Sequence, residues 1–411
     1  MQGAMAAGGC STNKKVVLVG QAQAGPPQAS MFAVVEDEVD INALEEGEVL
    51  LRNVYLSLDS SIYAYALRAV PPNSTVEARA LSVVHASRST ELSVGDVVWG
   101  TFGWEQFTKL PAALIDKRGN DVKPNVISPL SWRKAAPLSW ALSVLGVPGL
   151  ASWAGLLHIA QLKEGEQVYI SSAAGAVGLI AGQIAKALGC RVVGSAGTDE
   201  KCSLAMSYGF DKCFNYKTAV GVTDPMSPEA VQGLSMELSS CCPNGIDVYF
   251  DTVGGPALDA VLLQAKSEAR VVVCGMTSQY LLHDGQPRYG ARFLPLLVEK
   301  KITMRGFQVQ DFLDSMPQYL KQMSQWIDEG RIRYEETVIE DIANVPTAFC
   351  SMMQGKYSGK TVVRVSDDTF ASSWAGEAQA APTTREIGCQ ASWSHLPLAG
   401  DMSKGVHVSA I

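Results

Sequence analysis

The sequence has few charged residues for its length and no concentration of positive charge. Charged residues make up 18% of the 411 residues, and the formal net charge is -8. A nucleic acid partner rewards clustered Lys and Arg, and no basic stripe is present. The composition therefore argues against nucleic acid binding. At this length, and with 47% hydrophobic residues, the chain is expected to be globular and long enough for two domains.

The sequence also lacks a disulfide framework. Its nine cysteines include no C-x-x-C pair, and they do not frame small loops. Such spacing is typical of a reducing compartment and favours a cytoplasmic location. The adjacent Cys241 and Cys242 are interpreted as structural residues rather than as a redox site.

A ligand set for a catalytic metal is missing as well. A catalytic zinc needs Cys, His and often Glu around an open position. The chain has no G-H-E, no cysteine between Cys10 and Cys190, and only His85 and His158 in its first half. We therefore expect no metal and interpret both histidines as structural. A serine nucleophile or a carboxylate pair has no supporting motif either.

One long stretch, residues 135–162, contains no Asp, Glu, Lys or Arg, but a membrane span is not predicted there. Pro148 and Gly149 divide the stretch, and polar residues dilute it. We expect a buried connecting helix over 150–161. Residues 1–13 lack a secretory apolar core and are predicted to form a disordered start.

The segment 167–201, QVYISSAAGAVGLIAGQIAKALGCRVVGSAGTDEK, predicts dinucleotide binding. A buried strand at 168–170 runs into a tight turn at 173–178, and a helix over 177–188 ends at Gly189. Gly175 and Gly178 let the backbone approach a pyrophosphate at the N-terminus of the helix. Ala173 replaces the first glycine of G-x-G-x-x-G, so the prediction depends on the order of strand, turn, helix and second strand.

The second strand, 191–195, indicates the type of cofactor. An NAD site usually places Asp or Glu at the end of this strand, whereas this chain has GSAGT at 194–198 and Lys201 soon after. A small uncharged pocket followed by a lysine suits a 2′-phosphate and favours NADP. The alternative is that Lys201 is an ordinary solvated lysine, in a helix capped by Asp199 or Glu200.

Further strands are predicted at 213–216, 246–250, 270–275 and 302–307, mostly separated by helices. The expected fold class is α/β, with a Rossmann doubly wound parallel sheet over 148–307. Short β-like runs at 15–19, 49–58 and 97–101 predict a β-rich domain over 14–147. Strands at 334–339 and 361–365 are expected to complete this domain over 308–365. Residues 366–411 lose periodicity and are predicted to be a flexible tail.

The chain resembles the zinc-independent medium-chain dehydrogenase/reductases that include leukotriene and prostaglandin reductases and alkenal double-bond reductases. The likeness spans about 49–365 and is carried by VPGLASWAGLLHIAQLKEGEQV, AAGAVGLIAGQIAKALGCRVVGSAGTDEK, GFDKCFNYK, YFDTVGG, CGMTSQY and EGRIRYEETVIEDIANVPTAFCSMMQGKYSGKTVV. It implies that the β-rich domain is GroES-like. It also implies hydride transfer from NADPH to the β-carbon of an α,β-unsaturated ketone or aldehyde. The expected partners are small molecules, with a homodimer as a possible assembly.

The resemblance also assigns roles to residues of this sequence. It implies that Gly175, Ala176, Val177 and Gly178 hold the pyrophosphate and that Lys201 and Tyr216 face the 2′-phosphate. Cys274, Thr277 and Tyr280 would flank the nicotinamide, and Phe307, Gln308 and Val309 would line the cleft. Tyr280 is the expected hydrogen-bond donor to the carbonyl oxygen, either directly or through water. The alternative is that this tyrosine only packs against the cleft wall.

Three positions depart from the family pattern. Tyr357 stands where Asn is common, Leu281 follows Tyr280 where Asn is usual, and 59–63 reads DSSIY in place of DPYMR. These departures predict an altered substrate pocket beside an intact cofactor pocket. They also leave open an NADPH-binding sensor or scaffold with little catalysis.

Overall fold

The computed structural model describes residues 10–20, 25–115, 125–127, 136–220, 227–282, 286–334 and 336–367. The strands in these ranges are β1 Cys10–Leu18, β2 Phe32–Asp40, β3 Val49–Leu58, β4 Glu77–Ser87, β5 Val97–Gly103, β6 Phe107–Leu110, β7 Asn125–Ile127, β8 Gln167–Ile170, β9 Arg191–Ala196, β10 Lys212–Asn215, β11 Ile246–Asp251, β12 Ala265–Val273, β13 Thr303–Gly306, β14 Glu336–Glu340 and β15 Lys360–Arg364.

The α-helices alternate with strands through the middle of the chain. They are α1 Leu67–Ala69, α2 Ala112–Ile115, α3 Val147–Ala154, α4 Ala176–Ala187, α5 Asp199–Ser207, α6 Tyr216–Ala219, α7 Ala230–Cys241, α8 Pro256–Gln264, α9 Leu296–Glu299, α10 Met316–Asp328 and α11 Val345–Met353. Among the described residues, no helix combines the length and the apolarity needed to cross a bilayer.

The middle of the chain forms a six-stranded sheet in the order β10-β9-β8-β11-β12-β13. All of its strand pairs are parallel, and Val168 of β8 pairs with Val192 of β9 on one side and Val248 of β11 on the other. The strand order therefore reverses beside β8. In open α/β sheets, such a reversal creates a crevice at the carboxyl ends of the strands, where ligands bind.

Helices cover both faces of this sheet. On one face α3, α4 and α10 share a core that contains the fully buried Trp153 and Tyr319. On the other face α7 and α8 pack over Tyr169 and Tyr249, whose rings stack at 5.1 Å. The prediction of a doubly wound parallel sheet is confirmed.

The remaining strands form a β-rich part. Its larger sheet has seven strands in the order β14-β15-β3-β4-β5-β7, with β6 paired to β3, and β1 and β2 form a separate two-stranded sheet. Val363 of β15 lies opposite Leu56 of β3. Strands from before and after the parallel sheet thus share one sheet, as the sequence predicted. The division of the chain at 147/148 and 307/308 stays a prediction.

Three local expectations need correction. The connecting helix begins at Val147 and ends at Ala154, followed by a π-helical turn at Gly155–Ile159. Pro148 does not break this helix, because it lies in the first turn, where a proline costs no hydrogen bond. Residues 10–13, assigned to a disordered start, belong to β1, where they pair with β2. Residues 1–9 and most of the predicted tail, 368–411, lie outside the described residues.

Candidate active site

A cleft of about 1100 Å³ lies where the carboxyl ends of β8, β9, β11 and β12 face the β-rich part. All the residues to which the sequence analysis gave a catalytic or cofactor-binding role contribute to its lining, and those roles stay predictions. They are Gly175, Ala176, Val177, Gly178, Lys201, Tyr216, Cys274, Thr277, Tyr280, Phe307, Gln308 and Val309.

The turn between β8 and α4 is shaped for close approach. A Cβ atom at Gly178 would lie 2.3 Å from the carbonyl oxygen of Ser172, so no side chain fits there. The methyl group of Ala173, in place of the first motif glycine, is accommodated because Gly194 of β9 lies opposite it; a Cβ atom at Gly194 would be 2.5 Å from it. Ala173 also donates from its N–H to the carbonyl of Ser195 at 2.9 Å.

The N-terminus of α4 opens into the cleft. Gly175 is the N-cap residue, and no side chain caps the first turn. The first N–H groups of a helix have no carbonyl partner within the helix, and this end carries a partial positive charge. Both properties favour the binding of an anion. The turn and the helix end therefore fit a pyrophosphate.

Lys201 lies in the first turn of α5, the helix that follows β9. Its ammonium donates to the carbonyl oxygens of Gly355 at 2.7 Å and Tyr357 at 2.6 Å. Burial, together with the charge of Lys217, lowers the pKa of Lys201. The helix cap is Thr198, not Asp199 or Glu200, because the Thr198 hydroxyl accepts from the backbone N–H of Lys201.

Lys217 is a second cation at this end of the cleft, and the sequence analysis missed it. Its side chain and that of Tyr216 both lie about 3.4 Å from the position of a Cβ atom on Gly197, at the end of β9. Lys217 also lines the cleft. Its place directly after Tyr216, at the end of β10, was the available signal.

The segment after β12 shapes the other end. Cys274 donates its backbone N–H to the carbonyl of Asp251 at 2.8 Å, and the Thr277 hydroxyl donates to the carbonyl of Thr252 at 3.1 Å. The phenol oxygen of Tyr280 accepts from the backbone N–H of Met276 at 3.3 Å. These bonds fix Tyr280 against the carboxyl ends of β11 and β12.

Asp251 is fully buried and stabilises the backbone at this end of the cleft. One of its carboxylate oxygens accepts from the phenol of Tyr249 at 2.7 Å and from the backbone N–H groups of Val253 and Gly254 at 2.9 and 2.8 Å. Burial raises the pKa of Asp251. Burial also raises the pKa of the Cys274 thiol, to about 12, so this cysteine stays a neutral thiol at neutral pH.

Residues that follow β13 form the apolar wall of the cleft. The Phe307 ring packs edge-on against Phe312, with centroids 5.9 Å apart. It also lies 3.2 Å from the position of a Cβ atom on Gly155, so the glycine makes room for the ring. Val309 continues this wall, and Gln308 adds a polar side chain to the lining.

An ion pair between a buried lysine and a half-buried aspartate at the cleft was not predicted. The ammonium of Lys360 donates to the Asp59 carboxylate and, at 2.8 Å, to the carbonyl of Leu58. The Lys360 side chain is 1% exposed. Burial opposes ionisation of Asp59, but Lys360 and a hydrogen bond from Ser57 outweigh it and lower the pKa of the carboxyl. The pair joins the end of β3 to the start of β15.

Within the described ranges, no group of three or more His, Cys, Asp or Glu side chains is arranged to hold a metal ion. The His85 ring packs on Phe107 at 5.3 Å, and the His158 ring packs on Trp153 at 4.5 Å. Both contacts fit the structural interpretation of these histidines.

Comparison with known proteins gives consistent matches across both parts of the fold. Residues 14–117 match the family model described as the N-terminal domain of oxidoreductase, and 176–329 match the zinc-binding dehydrogenase model. The 2-alkenal reductase (NADP(+)-dependent) of Nicotiana tabacum is 35% identical over 86% of this chain and 98% of its own length. Prostaglandin reductase 1 of Rattus norvegicus is 36% identical over 83% of this chain and 95% of its own length.

A solved structure gives the same result. CurA from Vibrio vulnificus in complex with NADPH superposes with a TM-score of 0.72 at 33% identity, covering 86% of this chain and 99% of that chain. The chain belongs to the medium-chain dehydrogenase/reductases of the zinc-independent alkenal and prostaglandin reductase type, which confirms the resemblance seen in the sequence.

Proposed function

We propose that this protein uses NADPH to reduce the carbon-carbon double bond of α,β-unsaturated ketones or aldehydes. The observation that carries the proposal is one cleft that joins the phosphate-binding turn and two lysines at one end to Tyr280 at the other. The alkenal and prostaglandin reductases similar to this chain support the same reaction.

The residues of the cleft fit NADPH at three places. The backbone of Gly175 to Gly178 would hold the pyrophosphate at the N-terminus of α4. Lys201, Lys217 and Tyr216 would hold the 2′-phosphate, since a charged donor forms the stronger hydrogen bond to phosphate. When bound, the cofactor supplies the hydride that the β-carbon accepts.

Tyr280 would act on the substrate. As the β-carbon accepts the hydride, negative charge develops on the carbonyl oxygen, and a positioned O–H donor stabilises that charge. The α-carbon then takes up a proton, from the Tyr280 phenol or from water, which completes the saturated product. Cys274 offers a neutral thiol there, which argues against a covalent cysteine intermediate. The described ring contacts of Phe307 place an apolar wall beside this end, which suits the carbon skeleton of an enone.

A substrate panel tests the proposal. Purified protein with NADPH is mixed with enals and enones and, as a control, with matching saturated aldehydes, and the loss of absorbance at the NADPH band is followed. We expect turnover of enones and poor turnover of saturated aldehydes, which lack an electrophilic β-carbon. Efficient reduction of a saturated aldehyde to its alcohol contradicts the proposal. Cofactor binding without turnover of any enone favours the sensor alternative.

We also propose a cytoplasmic location and a homodimer. The described cysteines are all free thiols, which suits a reducing compartment. Strand β13 forms one edge of the parallel sheet, and all four of its residues are exposed, so that a second copy could pair with it. Sedimentation of the purified protein tests the assembly.

A further inference from the structure

The segment that carries Tyr280 is held by the β-rich part of the chain. Three successive carbonyls of this segment accept hydrogen bonds from residues of the β-rich part. Arg68 donates from one guanidinium nitrogen to Tyr280 at 3.4 Å and to Leu282, and the backbone N–H of Gly25 donates to Leu281 at 3.3 Å. Arg68 and Tyr280 are 212 positions apart in sequence. We refer to Gly25, Tyr63 and Arg68 as the clasp.

Tyr63 supports the clasp from within the β-rich core. Its side chain is 1% exposed, and its phenol donates to the carbonyl of Gly25 at 2.6 Å. Burial raises the pKa of Tyr63, although the nearby charge of Arg68 opposes this. The phenol therefore keeps its hydrogen at neutral pH and remains a donor. Tyr63 thus fixes Gly25, and Gly25 fixes Leu281.

Two of the departures from the family pattern meet in this arrangement. By the resemblance described above, Tyr63 stands where the family often has arginine, and Leu281 stands where it usually has asparagine. Leu281 takes part through its backbone carbonyl, while its side chain packs against the core of the β-rich part. The two changes are therefore connected through Gly25.

The clasp and the segment's own bonds hold different parts of Tyr280. The phenol oxygen accepts from Met276, within the same segment. The backbone carbonyl of Tyr280 accepts from Arg68, which belongs to the β-rich part. The phenol would face a substrate bound between the two parts of the fold. Its position there depends both on the bond from Met276 and on the bond from Arg68. The glycine turn is tied separately, by the backbone N–H of Gly359 donating to the carbonyl of Ala174 at 2.8 Å.

We propose that Arg68 and Tyr63 are positioning residues that set the place of Tyr280 in the cleft. This inference rests on the proposed function, in which Tyr280 donates to the carbonyl oxygen. Loss of the clasp lets the Tyr280 segment shift, and misplacement of a reacting group by about 1 Å can cost about a hundredfold in rate. The affinity for NADPH is maintained when the clasp is lost, because it depends on Lys201 and on the glycine turn, which is bonded to Gly359 and not to the clasp.

Kinetics of Arg68 variants provide the first test. Arg68→Ala is expected to lower kcat for enone reduction about tenfold, with KM for NADPH within about twofold of the original protein. Arg68→Lys should recover part of the rate, because an ammonium can reach one of the two carbonyls. The control is Arg88→Ala, which removes a similar bond, from Arg88 to the carbonyl of Leu44 at 2.8 Å, in the same part of the fold. An Arg68→Ala rate within about twofold of the original overturns the proposal.

A double-mutant cycle tests whether Arg68 acts through Tyr280. In a Tyr280→Phe background, Arg68→Ala should change kcat by less than about twofold, because the group that it positions is already gone. A full tenfold loss in that background shows that Arg68 acts elsewhere and overturns the proposal. Tyr63→Phe, which removes only the phenol hydroxyl, should lower kcat in the same direction as Arg68→Ala, and an unchanged kcat removes Tyr63 from the clasp.

Hydrogen exchange separates failure of the clasp from failure of the proposed function. The backbone N–H groups of Gln279, Tyr280 and Leu282 are bonded within the segment, so their exchange reports its order without any turnover. Arg68→Ala should raise their exchange rates, and Arg88→Ala should not. Unchanged exchange in Arg68→Ala overturns the clasp. If the original protein reduces no enone while Arg68→Ala still speeds exchange, the proposed function fails and the clasp stands as a structural contact only.

Discussion

At the scale of single residues, two lysines give one end of the cleft its positive charge. Lys201 uses two of the three N–H donors of its ammonium on the carbonyls of Gly355 and Tyr357. The same ammonium therefore ties the loop at 355–357 to α5. Lys217 lies close enough for its charge to oppose protonation of Lys201. A phosphate between the two lysines would relieve this repulsion.

We expect Lys201→Ala to weaken NADPH binding about ten- to hundredfold and to leave NADH binding nearly unchanged. A hydrogen bond to a charged group contributes about 1.5 to 3 kcal/mol, and NADH lacks the 2′-phosphate that would receive it. Titration of cofactor fluorescence gives both dissociation constants. The matched control is Lys186→Ala, which removes a lysine paired with Asp211 away from the cleft. Equal losses for NADPH and NADH in Lys201→Ala would contradict the assignment.

Tyr280→Phe is expected to lower the rate of enone reduction about a hundredfold, which corresponds to about 3 kcal/mol of transition-state stabilisation. The change removes one O–H donor without emptying the cleft, so NADPH affinity should change little. Steady-state kinetics with saturating cofactor measure the effect. A rate within about twofold of the original protein would assign the proton to water and the carbonyl oxygen to another donor.

At the scale of elements, the junction of β8 and α4 has no space for larger residues. A Cβ atom at Gly178 would lie 2.3 Å from the carbonyl oxygen of Ser172 and 3.1 Å from the Cα atom of Ala173. These are backbone atoms, so they cannot rotate away as a side chain would. The shape of the turn depends on this glycine, and the position of the helix N-terminus depends on the turn.

We expect Gly178→Ala to weaken NADPH binding at least tenfold, about 1.4 kcal/mol, because the turn must open to admit a methyl group. Alanine favours a helix over glycine by about 1 kcal/mol, which offsets part of the cost of the clash to folding. The free energy of unfolding should therefore fall by less than the free energy of NADPH binding. Gly290→Ala is the control, since a Cβ atom there meets nothing within 4 Å. Unchanged NADPH affinity in Gly178→Ala would show that the turn does not contact the cofactor.

At the scale of the whole molecule, Asp59 and Lys360 connect the first half of the chain to its end. The pair lies between β3 and β15, which are neighbours in the β-rich sheet although about 300 residues separate them, with the parallel sheet inserted between. Breaking a buried ion pair from one side is costly, because the remaining charge stays buried.

We expect Asp59→Asn to lower the free energy of unfolding at pH 7 by about 3 to 5 kcal/mol, measured by urea denaturation. The folded-state pKa of Asp59 is below its unfolded value. Its contribution is therefore complete above the unfolded pKa of about 3.9 and is lost as the pH falls through the folded pKa. The stabilities of the original protein and of Asp59→Asn should therefore converge in acid.

The control is Glu340→Gln, which breaks the exposed pair with Arg364. It should lower the free energy of unfolding by about 1 kcal/mol or less. If Asp59→Asn also lowers the free energy of unfolding by only about 1 kcal/mol, the burial of Lys360 does not make this ion pair more important than an exposed one.

The sequence by itself determined the cofactor-binding half of this protein. The strand, turn and helix over 167–189 are specified by residues that are close together in the sequence. For this reason the predicted helix 177–188 and the observed α4 agree within one residue at each end. The predicted strand 49–58 coincides with β3 for the same reason. The family motifs indicated further residues that line the cleft, among them Tyr280 and Phe307.

Tertiary structure alone decided the contacts between distant segments. Lys217 became part of the cationic end because β10 lies beside β9, and the clasp formed because α1 faces the segment after β12. Strands β2, β4, β6 and β7 also escaped prediction, since a strand depends on a partner that local sequence does not identify. Periodicity and turn residues report forces within about ten positions along the chain, whereas ion pairs and hydrogen bonds across a cleft depend on how whole elements pack.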